Sequence, residues 1–198
     1  ILMSKHLYSS TQSFKTTWIQ VDSKHRLKIK EYGNPQGIPV IFLHGGPGYQ
    51  TNKNCIRFFD KRRYHLVIFD QRGCGSSRPL RELSNNNTQE LVNDIDKIRH
   101  HCGFKKVVLV GGSWGATLAL LYMIKYPDKV ISFIVTGFTL LKEALFTTRL
   151  RSQFPEDWNQ FMKLGHPQNL EKTIDKYFQK IKEGHPKYIQ EWTTIENK

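Results

Sequence analysis

An α/β fold, with a mostly parallel sheet and helices on both faces, is what this chain predicts, and three observations lead there. Four continuous apolar runs, Pro39 to Leu43, Leu66 to Phe69, Val107 to Val110 and Val130 to Val135, have the length and texture of strands buried on both faces. Helix-periodic segments separate the last three of them, and that alternation is characteristic of α/β architecture. Glycine-rich turns, 44–48 and 111–115, follow the first and third runs.

The elements follow in chain order. Thr17 to Val21 and Arg26 to Tyr32 alternate apolar with polar residues, as half-exposed antiparallel strands joined near Asp22-Ser23 do. Gly33-Asn34-Pro35 is a turn, and the buried runs begin after it. Asn87-Thr88-Gln89-Glu90 has the form of a capping box, after which Leu91, Val92, Ile95 and Ile98 share one helical stripe. Ala116 to Lys125 is apolar nearly all round, so it reads as a central buried helix that stops before Pro127. From Leu141 strand-like runs give way to helical ones. Asn169 caps a helix whose Leu170, Ile174, Tyr177, Phe178 and Ile181 share a face and which Gly184 ends; a short helix follows from Tyr188. The expected organisation is a core over 1–140, with about six strands, and the start of a helical cap over 141–198.

Composition narrows the classes. At 198 residues, 38% hydrophobic and 24% charged, the chain suits one ordinary soluble domain. No apolar run reaches the roughly 18 residues of a membrane span, and the N-terminus has no signal-peptide core. The start at Ile1 suggests either a clipped chain or a true start at Met3. Cys55, Cys74 and Cys102 are odd in number and lack metal-ligand spacing, which fits a reducing, cytoplasmic setting with no metal. The net charge of +13 raises the question of nucleic acid, but the basic residues are scattered and no recognition signature accompanies them. Neither a nucleic-acid nor a membrane partner is expected.

The chemistry centres on Gly111-Gly112-Ser113-Trp114-Gly115. A strand before it and a helix after it make this a nucleophile elbow, a tight turn that holds a serine hydroxyl above the sheet edge. Serine catalysis needs donors for the developing oxyanion. One is the backbone N–H of Trp114. The other comes from His44-Gly45-Gly46-Pro47-Gly48, with Gly46 preferred and Gly45 the alternative. A nucleotide-binding loop is the other strand–glycine–helix explanation, but neither G-x-G-x-x-G nor Gly-Lys-Ser/Thr follows Val107 to Val110.

Three motifs in order, His44-Gly45-Gly46-Pro47-Gly48, Asp70-Gln71-Arg72-Gly73-Cys74-Gly75-Ser76-Ser77-Arg78-Pro79 and Gly111 to Gly115, resemble the prolyl aminopeptidases (proline iminopeptidases) of the α/β-hydrolase superfamily. The likeness continues through Thr117 to Leu120 and Phe154 to Trp158, and covers about Leu7 to Glu196. It implies an α/β-hydrolase fold and the release of N-terminal proline from peptides through an acyl-enzyme on Ser113, without metal or organic cofactor. Asp70 and Arg72 then brace the active-site loop. The family meets the substrate ammonium with cap acids, one in a Trp-x-x-Trp-Glu pattern. Trp192-Thr193-Thr194-Ile195-Glu196 nominates Glu196, although Ile195 replaces the second tryptophan.

The triad order is serine, acid, histidine. After Ser113 the histidines are His166 and His185, each before a proline in a loop pattern, and Asp128 lies in a connection on the face opposite the elbow. The family's acid and histidine belong to loops after its seventh and eighth strands, so both are expected to be absent by truncation. The isolated chain is then expected to be nearly inactive and poorly soluble. Alternatives are another hydrolase of this fold, an esterase or amidase, or a degenerate non-catalytic relative.

Overall fold

Alternation shapes the first hairpin. Leu27, Ile29 and Glu31 turn inward, while Lys28, Lys30 and Tyr32 face the other way and are half-buried. In the computed structural model, which describes residues 7–137 and 151–196, β1 (Lys15–Gln20) pairs antiparallel with β2 (Arg26–Gly33), Trp18 opposite Lys28. Asp22 closes the turn: its Oδ1 accepts the Lys24 N–H at 2.8 Å and the His25 N–H at 2.6 Å, an aspartate turn.

The apolar runs become β3 (Ile38–Leu43), β4 (Tyr64–Phe69), β5 (Val107–Gly112) and β6 (Val130–Thr136). They form one six-stranded sheet in the order β1-β2-β4-β3-β5-β6, with β4, β3, β5 and β6 mutually parallel. Parallel neighbours need crossovers, and two helices supply the two that follow β4. Helix α1 (Thr88–His101) starts where Asn87 Oδ1 accepts the Glu90 N–H at 3.0 Å. Only this half of the expected capping box forms, because Glu90 turns its carboxylate to Arg72 at 3.3 Å. Helix α2 (Trp114–Lys125) begins two residues before the apolar run suggested, directly after Ser113.

Both helices pack on one sheet face. Leu91, Ile95 and Ile98 of α1 and Leu118, Ala119 and Tyr122 of α2 close a core over Leu27, Ile29, Ile41, Val67 and Leu109. Each large apolar side chain buried there contributes about 1.5–3 kcal/mol. The Tyr122 hydroxyl and the Arg99 guanidinium both donate to Asp96 at 2.8 Å, tying α2 to α1 through the rim of that core. On the opposite face a 3-10 turn (Cys55–Phe58) sets Cys55 against Val40, Leu66 and Ile68.

Two elements are less buried than their composition predicts. Strand β6 lies at the sheet edge, with Ile131 52% and Ile134 56% exposed, and Ile124 of α2 is 72% exposed. Among the described residues β6 pairs with β5 alone, and Ile131 and Ile134, three positions apart, are exposed on opposite faces of the sheet.

Contacts divide the chain at Leu140/Leu141. In the second unit α3 (Pro155–Leu164), α4 (Leu170–Lys182) and α5 (Pro186–Glu196) gather their aromatic rings. Trp158, Phe161 and Tyr177 are buried, with the Phe161 and Tyr177 centroids 4.5 Å apart. Asn169 caps α4 as its side chain suggests, accepting the Lys172 N–H at 2.9 Å, while the Phe178 side chain lies outside the described residues. Helix α5 starts at Pro186, two residues before Tyr188, because proline suits a first helical turn. Among the described residues no helix is long and apolar enough to cross a membrane.

An edge strand with exposed isoleucines is a template for pairing between chains. Ile134→Lys is therefore expected to lower concentration-dependent self-association in sedimentation velocity without lowering the melting temperature. Unchanged association would show that β6 is not the sticky edge.

Candidate active site

Ser113 links β5 to α2 with φ 52° and ψ −121°, a backbone region that costs a non-glycine residue about 1–3 kcal/mol. Two contacts hold it there. Its N–H donates to the Thr136 carbonyl of β6 at 3.0 Å, and its own carbonyl accepts the Ala116 N–H at 2.9 Å. The flanking glycines are steric necessities. A Cβ on Gly115 would collide with the Leu43 carbonyl, and one on Gly111 with the Gly115 carbonyl, so the helix crosses the strands at backbone contact. Ser113 is exposed. Trp114 is the first residue of α2, so its N–H has no intrahelical acceptor, and the positive end of the helix dipole lies at the serine.

The glycine loop after β3 runs beside this turn. A Cβ built on Gly45 would lie 3.4 Å from Ser113 Cβ and 3.9 Å from its Oγ. His44 orients the loop. Its Nε2 accepts the Gln71 N–H at 2.9 Å, so the ring proton is on Nδ1, which donates to the Gly45 carbonyl at 2.7 Å. With that carbonyl turned to His44, the N–H of Gly46 on the other side of the planar trans peptide points away from it. Gly46 itself has φ +127°, a conformation that favours glycine. Burial depresses the His44 pKa, so the imidazole is neutral, and both nitrogens are engaged within the scaffold.

Two buried charges brace these loops. Asp70 accepts four hydrogen bonds at 2.8 Å, from the N–H and hydroxyl of Thr51 and from the N–H and hydroxyl of Ser76. Burial pushes its carboxyl up, but the four donors outweigh it and hold the pKa below the usual range. Arg72, whose side chain is fully buried, uses all five N–H donors. Nε and Nη2 clamp Asp94 at 2.6 and 2.8 Å, Nη1 reaches Asp22 at 2.6 Å and the Asn85 carbonyl at 2.7 Å, and Nη2 also meets Glu90 at 3.3 Å. Arg72 with every donor filled, and Asp70 with every acceptor position filled, brace the loops.

Of the nominated residues, Ser113, Trp114 and the glycine loop thus come together at the carboxyl ends of β3 and β5. Glu196 ends α5 in the second unit, and its side chain lies outside the described residues. Sequence reasoning missed His44 as a loop clamp and Asp22 and Asp94 as partners of Arg72. Asp94 left a signal: it lies within the apolar stripe of α1, where an acid needs a buried cation. No histidine nitrogen bonds Ser113 Oγ among the described residues. His25 is buried on Asp22 at 3.1 Å, and His65 pairs with Glu31 at 2.8 Å. Nor does any group of three or more His, Cys, Asp or Glu among the described residues form a metal-binding cluster.

Two measurements test this construction. Ser113→Gly is expected to raise stability by about 1 kcal/mol in urea denaturation, because glycine removes the strain of the turn; a loss would show the turn to be unstrained. Asp70→Asn is expected to cost about 2–4 kcal/mol at pH 7, since the amide presents a donor where the carboxylate meets only donors. The native carboxyl is depressed, so its contribution is full above about pH 4 and is lost as pH falls through its folded value. The variant should therefore show a flatter acid dependence than the wild type.

Comparison with known proteins extends the geometry. Residues 38–190 match the family model described as alpha/beta hydrolase fold. The chain is 40% identical over 164 residues to the proline iminopeptidase of Neisseria meningitidis, covering 79% of this chain and 52% of that protein. It is also 40% identical over 162 residues to the proline iminopeptidase of Arabidopsis thaliana, covering 80% and 43%. The chain thus spans about half the length of these relatives. The crystal structure of the Mycobacterium smegmatis proline iminopeptidase shares the fold with a TM-score of 0.61 at 21% identity, over 89% of this chain and 58% of that one. Strand order, the turn at Ser113 and the matched residues agree: this chain belongs to the alpha/beta hydrolase fold family.

Proposed function

We propose that this chain is the serine-bearing part of an aminopeptidase that releases N-terminal proline from peptides. The observation that carries the reading is the strained turn at Ser113, with an exposed hydroxyl between the first amide of α2 and the Gly45-Gly46 loop. The 40% identity to proteins named proline iminopeptidase supports the substrate class. Ser113 Oγ attacks the carbonyl carbon of the N-terminal proline. The N–H groups of Trp114 and Gly46 receive the oxyanion, and a base takes the serine proton and delivers it to the leaving peptide amine. The C–N bond breaks, and water then hydrolyses the prolyl ester. Glu196 meets the secondary ammonium of the substrate, with 141–198 serving as part of a cap.

No base for Ser113 is found among the described residues. His44 cannot serve, being neutral with both nitrogens engaged, and the pairing of His25 and His65 with acids leaves neither at the serine. An oxyanion hole without its base retains little catalysis, which predicts a nearly inactive chain. The second reading is a hydrolase-like protein without catalysis.

A fluorophosphonate probe separates the two. The proposal expects slow labelling that disappears in Ser113→Ala, together with hydrolysis of prolyl β-naphthylamide at least about 10³-fold below that of the chain joined to the C-terminal portion of a relative. No serine labelling in folded protein would favour the non-catalytic reading. A joined protein that cleaves acyl esters but not the prolyl amide would overturn the substrate class.

A further inference from the structure

Strand β2 turns Lys28 and Lys30 to the sheet face opposite α1 and α2, where they are half-buried. A cleft of about 740 Å³ opens above them, and its lining includes none of Ser113, Trp114, Gly45 and Gly46. That volume lies in the range of small-molecule sites. Two further cations, Arg78 and Lys53, are also on its lining. Among the described residues none of these four cations has an acid within ion-pair distance, although other lysines of the first unit find one: Lys15 meets Glu31 and Lys24 meets Glu82. Lys28 Nζ lies 5.7 Å from the centroid of the Trp18 ring, a contact that supplies no counter-charge, and an anion in the cleft would supply one. Asp70 is the acid on the lining, and Thr51 and Ser76 already fill its four acceptor positions. It therefore has no free acceptor position to offer a cation.

The remaining chemistry narrows the ligand. Ser10, Thr11 and Ser13 add hydroxyl groups to the lining, and Ile56 and Ile68 give part of it an apolar surface. Backbone pairing makes the cationic wall rigid: Arg26 and Arg78 exchange both N–H···O bonds, at 2.8 and 2.9 Å, and the Lys28 N–H donates to Ser77 Oγ at 3.2 Å. We propose that this cleft binds a small molecule carrying at least two phosphate or carboxylate groups, held by Lys28, Lys30 and Lys53 of its lining. A concave site of this size suits a compact ligand better than the flat track of a polyanion.

Titration calorimetry in 0.15 M salt with inorganic tripolyphosphate and with citrate tests it. One-to-one binding of either is expected, and the tighter of the two identifies the anion class. Each lysine should matter by about tenfold, as charge-assisted hydrogen bonds do. The double variant Lys28→Gln, Lys30→Gln should therefore weaken binding by about 100-fold. Lys53→Gln, on a surface loop and safe for folding, should weaken it by about tenfold. Lys105→Gln with Lys106→Gln, which removes equal charge elsewhere, should leave it unchanged. No saturable binding, or equal weakening by the control pair, would overturn the site. So would tighter binding of a single-stranded oligonucleotide that survives the Lys28/Lys30 double variant.

Discussion

Three consecutive side chains after β4 hold the carboxyl edge of the sheet together. Asp70 joins the segment after β3, through Thr51, to the turn at Ser76. The backbone of Gln71 fixes the His44 ring, and its side-chain amide returns a bond to the His44 carbonyl at 2.9 Å. Arg72 reaches the β1–β2 turn at Asp22 and the helix α1 at Asp94 and Glu90. Both buried charges are fully satisfied, four acceptor positions on Asp70 and five donors on Arg72. A half-satisfied network would cost more than an apolar core, so completeness makes this arrangement stable. Removing one partner of such a buried pair typically costs about 3–5 kcal/mol.

This network gives the turn at Ser113 a firm neighbour. A positive φ at serine persists only when the surroundings over-determine it. Here a strand amide bond to Thr136, a helix in contact with the Leu43 carbonyl and a glycine loop fixed by His44 all limit relaxation. The same packing leaves the serine hydroxyl exposed and a helix terminus beside it. Strain, access and electrostatics at this point therefore share one cause, the close passage of α2 over β3.

Charge is unevenly distributed for a related reason. In a chain of net charge +13, Asp22, Glu90 and Asp94 all serve one arginine, and Glu31 is shared by His65 and Lys15. Lysines on the outer face of β2 are left without acids, and a cleft lies over them. The surface that composition describes as scattered basic residues thus acquires a local concentration where a β-strand alternates its side chains.

The sequence by itself determined the elements and the turn. Strand periodicity, the stop at Pro127 and the strand–glycine–serine–helix order are local features, because each depends on neighbours within a few residues. Composition marks the start of α2 at Ala116 because it registers apolar residues, whereas the helix begins at Trp114, directly after the strained Ser113. Half of the capping box at Asn87 was illegible because Glu90 answers to Arg72, eighteen residues away. Only the tertiary structure decided which acids surround Arg72, which His44 nitrogen carries the proton, and where unpaired lysines meet a cavity. Each of those depends on residues brought together from distant parts of the chain, and pairing energy in a folded core is set by that company rather than by sequence spacing.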